Sequence, residues 1–428
     1  MTAAAVRIGH AEGGLLRVIT PPPGDGDHAP SVLDPAPGVD VTVLEVAGGL
    51  LTWSVLALDA VPVAVLDDVE AAQEWVWAVY GEQVALALAA DTVTDADADA
   101  VPVAEPAPGR PAPDGAHEMP GAPAVPVLPV LPVLPALPAL VASARRLAFA
   151  HWAARWWPAS VIDDIPPLDE RLLDREIGDL TEECDLLFAG FETADSRSPD
   201  APDDLDTPDA GSPAVQEPPR ATDYALAAGP APGKGGPAGS PAGGLTLARG
   251  TGGSDWRRYP PGLVDASERA VSWEVVRAAA RTTVSVSVVA APGPATVPGE
   301  LAPRATVGGA ADPLDLPLRR VDDAWRGDAP FDTVRTGGAA PGGAGLAVDI
   351  YLPGFGAPRP HDRYGDGDGD GAGAAAEVRA RVRALVRSRL ARATDEATDG
   401  DGDRDGDGGA FGPLLRTEIA AATAETDF

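Results

Sequence analysis

Long stretches of Pro, Gly, Ala and Asp interrupt this chain, and they limit its fold more than any other feature. Runs such as "DTVTDADADA" and "GPAPGKGGPAGSPAGG" carry too little apolar surface to offset the entropy of ordering them. Between them lie patches that hold tryptophans and show regular apolar spacing. Glycine (49) and proline (46) exceed a fifth of the 428 residues, so the length available for packed cores is well below the full length. The expected organisation is α+β and multi-domain. It comprises a small α+β domain over 1–90, a Pro-rich linker over 91–138 and a helical hairpin over 139–192. A disordered linker over 193–243, an antiparallel immunoglobulin-like β-sandwich over 244–357, an Asp/Gly linker over 358–376 and C-terminal helices over 377–428 follow.

Composition narrows the partners. The formal net charge is −33, which repels nucleic acid and anionic lipid, so neither is expected as a partner. Much of that charge lies in the linkers and reads as solvated spacer. Lys234 is the only lysine and asparagine is absent, the bias that GC-rich codons produce. Cys184 is the only cysteine, which excludes an intrachain disulfide and a multi-cysteine metal site. The opening "MTAAAVRIGHAEGGLLRVIT" has no basic start followed by an apolar run, and no proline-free apolar stretch reaches 18 residues. A soluble cytoplasmic protein is expected.

Periodicity places the elements. Val39, Val41 and Val43, then Leu51, Trp53 and Val55, alternate on either side of Gly48-Gly49, which predicts a hairpin. Asp67 and Asp68 precede Val69, Ala72, Val76, Val79 and Tyr80 at helical spacing, with Gly81 as breaker. Pro126, Pro129, Pro132, Pro135 and Pro138 recur every third residue and favour polyproline II, at about 3.1 Å per residue. The run is read as a semi-rigid spacer; its valines and leucines also suit docking on a domain surface. Leu140, Ala144, Leu147, His151 and Trp152 share one helix face, and Pro158 stops that helix. Leu173, Ile177, Leu180, Cys184, Leu187 and Phe191 form the seam of a second helix. From 244 onward, short alternating runs such as "TTVSVSVV" predict strands, with Val284, Val286 and Val288 inward and Trp273 and Trp325 as core fillers.

Several motifs bear on chemistry. Asp366, Asp368, Asp370, Gly371 and Glu377 match the EF-hand calcium loop, and hard carboxylate oxygens at alternate positions suit Ca2+. No entering helix precedes them and Gly373 replaces the usual apolar residue, so the flexible-linker reading is preferred. The helix around 377–393 has an apolar stripe, with Arg379, Arg383 and Arg387 among the arginines on its other faces. It is expected to dock by its stripe, its arginines neutralised by flanking Asp runs or by an acidic partner. Trp256, Arg257, Arg258 and Tyr259 are residue types enriched at binding hot spots, and they also suit the edge of a β core. His151 is expected to be a satisfied core histidine, and its neighbouring tryptophans to staple the hairpin.

Catalytic signatures are missing. There is no G-x-S-x-G elbow and no H-E-x-x-H, and "PGKGG" at Lys234 fails the phosphate-loop pattern. His10, His28, His117, His151 and His361 are scattered. The adjacent acids Asp163 and Asp164 suit a turn or cap as well as chemistry, and carboxylate pairs of the glycosidase kind need not be close in sequence. Through "HWAARWWPAS", "DWRRYPPGLVDASERAVSWE" and "VDIYLPGFG" the chain resembles uncharacterised proteins of high-GC bacteria, and that resemblance implies no activity. The expected function is a non-enzymatic adaptor or scaffold acting through protein partners, without a cofactor. The alternatives are a hydrolase whose site assembles only in three dimensions, and a calcium- or carbohydrate-binding sandwich.

Overall fold

A computed structural model describes residues 4–10, 14–20, 38–56, 61–98, 130–195, 244–293, 302–307, 313–331, 346–356, 370–398 and 413–424. These residues form a mixed α+β structure with three antiparallel sheets and six helices. The largest sheet holds β1 (Ala5–His10), β2 (Leu16–Ile19), β3 (Val41–Val46), β4 (Gly49–Ser54), β5 (Val63–Leu66) and β6 (Val130–Pro132). Its order is β3-β4-β5-β2-β1-β6. The predicted hairpin is β3 and β4, with Val46 opposite Gly49 and Val41 opposite Ser54. Helix α1 (Val69–Tyr80) starts where the Asp68 carboxylate accepts the N–H of Ala71 at 3.1 Å. Gly81, at φ +93°, separates it from α2 (Glu82–Ala98).

The end of the proline repeat is not a spacer. Leu131 of β6 lies opposite Val6 of β1, and Val133, 5% exposed, enters the sheet core. The N–H groups of Val133, Leu134 and Leu137 donate to the carbonyls of Ala4, Tyr80 and Ala78 at 2.8, 3.1 and 3.1 Å. A proline every third residue leaves two N–H donors per triplet, enough to pair one side of an edge strand. Val133 is then buried and Leu131 half-buried, while Val130 and Leu134 stay exposed. A Cβ on residue 81 would strike the Leu134 carbonyl, so glycine is what lets this segment cross the α1–α2 joint.

Helices α3 (Pro138–Trp156) and α4 (Glu170–Asp195) pack on each other. α3 is apolar on more than one side and serves two cores. Ala144 and Ala148 belong to the core under the N-terminal sheet. Leu147, Trp152 and Ala153 belong to a second core that reaches α4, both C-terminal sheets and the last two helices. Trp152 Nε1 donates to the Val39 carbonyl at 2.7 Å. The predicted patches therefore do not each keep a private core. His151 is exposed on α3, not a core histidine, because its position falls between the two buried stripes.

The region from 244 gives two antiparallel sheets. One is ordered β12-β13-β9-β8-β7 and the other β11-β10-β14. Their strands are β7 (Leu245–Gly252), β8 (Val271–Ala278), β9 (Arg281–Val289), β10 (Arg304–Val307), β11 (Leu314–Pro317), β12 (Arg319–Val321), β13 (Ala324–Pro330) and β14 (Val348–Tyr351). Val284, Val286 and Val288 are at most 2% exposed, with Ser285 exposed between them. Trp325 is buried and donates to the Leu263 carbonyl at 3.0 Å; Trp273 is half-buried across Gly250. The strand order is a meander, β7, β8 and β9 being neighbours in sequence and in space. The immunoglobulin topology interleaves strands instead. The tight turn at Ala279-Ala280, closed by the pairing of Ala278 with Arg281, forces β8 and β9 together.

Helices α5 (Asp370–Thr398) and α6 (Arg416–Ala424) complete the second core through Val382, Val386, Leu390, Leu415 and Ala421. α5 begins at Asp370, the fifth position of the proposed calcium loop. Gly371 therefore makes no sharp turn, and the coil that an EF-hand loop needs there is helix. Asp366 and Asp368 lie outside the described residues, as do nearly all of 193–243 and 358–369. Among the described residues, no group of three or more His, Cys, Asp or Glu is placed to hold a metal ion, and no helix is long and apolar enough to cross a membrane.

Candidate functional site

Residues 256–258 form a single 3-10 turn, capped by the Asp255 carboxylate on the N–H of Arg257 at 3.1 Å. Asp255 also grips the Arg257 guanidinium, with contacts of 2.9 Å to both Nε and Nη2. Burial alone would raise the Asp255 carboxyl, but Arg257 outweighs it and holds the group below the usual carboxylate range. Trp256 and Tyr259 turn inward and are buried. The Tyr259 hydroxyl shares a 2.7 Å hydrogen bond with Ser254, and burial raises the phenol well above its ordinary value. Arg258 lies over the Tyr351 ring at 5.6 Å and 3.7 Å from Asp349.

The arginine helix stands behind this turn. Arg379 pairs with Glu268 at 2.7 Å, and Arg383 with both Glu268 (3.2 Å) and Asp163 (3.4 Å). Arg383 Nη1 also donates to the Ala266 carbonyl at 3.0 Å, and its guanidinium lies 5.9 Å from the Trp256 ring centre. The carboxylates that pair with these arginines come from two loops far away in sequence; the flanking Asp runs, Asp370 apart, lie outside the described residues. Arg379 and Arg383 are buried and hold the fold together; Arg387 is exposed. Asp265 ties the same loops. It accepts from the Ser160 hydroxyl at 2.7 Å and from the N–H groups of Val161 and Ser267 at 2.7 and 2.9 Å. Desolvation by burial still leaves its carboxyl raised.

In front of the turn lies an open notch with about 30 Å³ of interior space, lined by Trp156, Trp157, Trp256, Tyr259 and Pro261, with Arg155 at its rim. Pro158 ends α3 here, so consecutive side chains fan out at the helix end. Trp157 Nε1 donates to the Pro166 carbonyl at 2.8 Å, which ties the end of α3 to the lead-in of α4 while the ring still lines the notch. Arg155 is exposed and lies against two rings, 4.8 Å from the centre of Trp156 and 5.0 Å from that of Phe355. Phe355 rides on a turn at 352–356 that is fastened to the 3-10 turn: the Leu352 N–H donates to the Arg258 carbonyl at 2.9 Å. Gly356, at φ +79°, lets the backbone pass the Arg257 carbonyl where a Cβ would collide.

Sequence reasoning singled out Trp256, Arg257, Arg258 and Tyr259 but not Arg155 or Phe355. The structure joins the first group to Arg379 and Arg383 on the inner side and to Arg155, Trp156 and Phe355 on the outer side. The available signal was the segments themselves: "HWAARWWPAS" and "DWRRYPPG" line the notch, and "VDIYLPGFG" brings Phe355 against Arg155. No family model, curated protein or solved structure matches this chain.

Proposed function

We propose that this protein is a non-enzymatic adaptor or scaffold, and that the face formed by Arg155, Trp156, Trp157 and Phe355 is where a protein partner binds. One observation carries the reading. Two segments distant in sequence line one open notch with Trp, Tyr and Arg side chains, a third sets Phe355 against Arg155, and Arg155 has no carboxylate partner among the described residues. Aromatic rings give contact area at low entropic cost, and a cation held against rings is ready to meet an acceptor. The notch holds far less than the roughly 300–1,000 Å³ of a site that encloses a small molecule. In this reading the two sheets over 245–351 serve as a sandwich-like platform, the N-terminal sheet as a separate module, and the protein works in the cytoplasm.

The test is selection of a random peptide library on the full chain and on the Arg155→Glu variant. The expected result is a consensus enriched on the wild type and lost on the variant. No enrichment over repeated rounds, or the same sequences on both proteins, overturns the proposal.

A further inference from the structure

We infer that the notch takes a proline-rich extended segment carrying a carboxylate beside its prolines, read by Trp156 and Trp157 on the ring side and by Arg155 on the acid side. This rests on the reading of the face as a protein-binding surface and names the class of segment.

The shape of the site selects among the ways a peptide is recognised. A helix laid in a groove needs a long apolar trough for side chains spaced over several turns, and a strand added to a sheet needs a free edge. This site is neither, since it is built from a helix end and two turns and opens as one short notch. A single ring laid on the indoles at the open side suits such a notch. Polyproline II supplies such rings in a fixed conformation that loses little entropy on binding. Its three residues per turn repeat each face about every 9 Å, so a residue near the docked ring can present its carboxylate to the rim.

Charge supplies the second half. Arg257 and Arg258 already face Asp255 and Asp349, and Arg379 and Arg383 face Glu268 and Asp163. Arg155 lies against two aromatic rings and has no acid against it among the described residues. The rings hold the guanidinium without supplying an acceptor for its N–H groups, which a planar carboxylate matches. A single-stranded nucleic acid could also stack on indoles and meet an arginine. With a formal charge of −33, however, the chain repels a phosphate at every nucleotide more than one carboxylate in an otherwise neutral peptide.

Calorimetry on the full chain tests the inference with acetyl-Pro-Pro-Pro-Glu-Pro-Pro-Pro-amide, its Gln counterpart and its Gly-for-Pro counterpart. The Glu peptide is expected to saturate with a Kd on the order of 10–100 μM. The Gln peptide should bind about five- to tenfold more weakly, by loss of a charge-assisted contact. The Gly-for-Pro peptide should show no saturation. In Arg155→Gln the Glu peptide should fall to the affinity of the Gln peptide, while the Gln peptide keeps its own. The inference is overturned if no peptide saturates at about 1 mM, if Glu and Gln peptides bind wild type equally, or if oligothymidine binds more tightly than the Glu peptide. The three wild-type peptide titrations need no variant to fold. A library consensus that depends on Arg155 but lacks proline would leave the protein-binding reading standing and remove this one.

Discussion

Removing one charge from the buried pair that joins the last two helices should undock α6. Arg389 and Glu418 meet through two 2.6 Å contacts, with 4% and 0% of their side chains exposed. The same carboxylate accepts the N–H of Leu415 at 2.8 Å, and the guanidinium lies 4.3 Å from the centre of the Phe149 ring. Glu418→Gln leaves a buried cation with no anion, which costs about 3–5 kcal/mol. Arg389→Met strands the carboxylate and should cost a similar amount. The double variant Arg389→Met/Glu418→Leu removes both charges. Arg389 Nη1 already finds no acceptor among the described residues, so the pair is incompletely satisfied and its replacement by apolar groups should restore most of the loss. What remains is the orphaned Leu415 N–H, about 1–3 kcal/mol. Hydrogen exchange over 413–424 reads this directly. Each single variant should speed exchange there by about a hundredfold or more, at 1.4 kcal/mol per factor of ten, and the double variant by far less. Single variants within about 1 kcal/mol of wild type, or a double variant as costly as the two singles summed, would refute the argument.

Two further outcomes follow from single residues. Cys184, half-buried on α4, has its thiol pushed up to about 11 by burial, then by the charges of Glu183 and Asp185. Its thiolate fraction at pH 8 is therefore about a hundredfold below that of an ordinary thiol, while the higher pKa makes the thiolate more nucleophilic, so labelling by a disulfide reagent should be slower than in urea by about tenfold. A ratio below about threefold would contradict it. Val286→Ala removes two fully packed methyl groups from the centre of β9 and should lower stability to urea by roughly 2–3 kcal/mol, transfer and cavity costs together. Ser285→Ala, on the exposed side of the same strand, should stay within about 0.5 kcal/mol.

Local pattern was the legible part of this chain. Alternation at Val284, Val286 and Val288 marked an inward face, the acidic Asp68 marked a helix start, and Pro158 marked a helix end. Each signal acts within a few residues, where sterics and hydrogen bonding decide the outcome without help. The topology was less legible. Nothing in the spacing of residues 130–134 says that a proline repeat will pair with β1, because the partner lies at the other end of its sheet's sequence. The meander of β7, β8 and β9 rests on a turn of two alanines, one at φ +54°, where a turn would ordinarily carry glycine or asparagine.

The arginines show why the proposed recognition face was harder still to see. Arg379, Arg383 and Arg389 lie on the same helix as Arg387, with the same neighbours of valine, leucine and alanine. In sequence they form one basic surface. In the structure the first three are buried against Glu268, Asp163 and Glu418, and only the last is exposed. Guanidinium tolerates that burial better than ammonium, being weakly hydrated, planar and able to bond two oxygens at once. A chain whose basic residues are almost all arginine can therefore place its cations inside, as fasteners between helices, loops and sheets. The cation proposed for recognition is then identified by its surroundings and not by its helix: Arg155 lies against two rings, where Arg379, Arg383 and Arg389 lie against carboxylates. Aromatic neighbours keep an arginine in place without neutralising it, and that difference separates a fastener from a site.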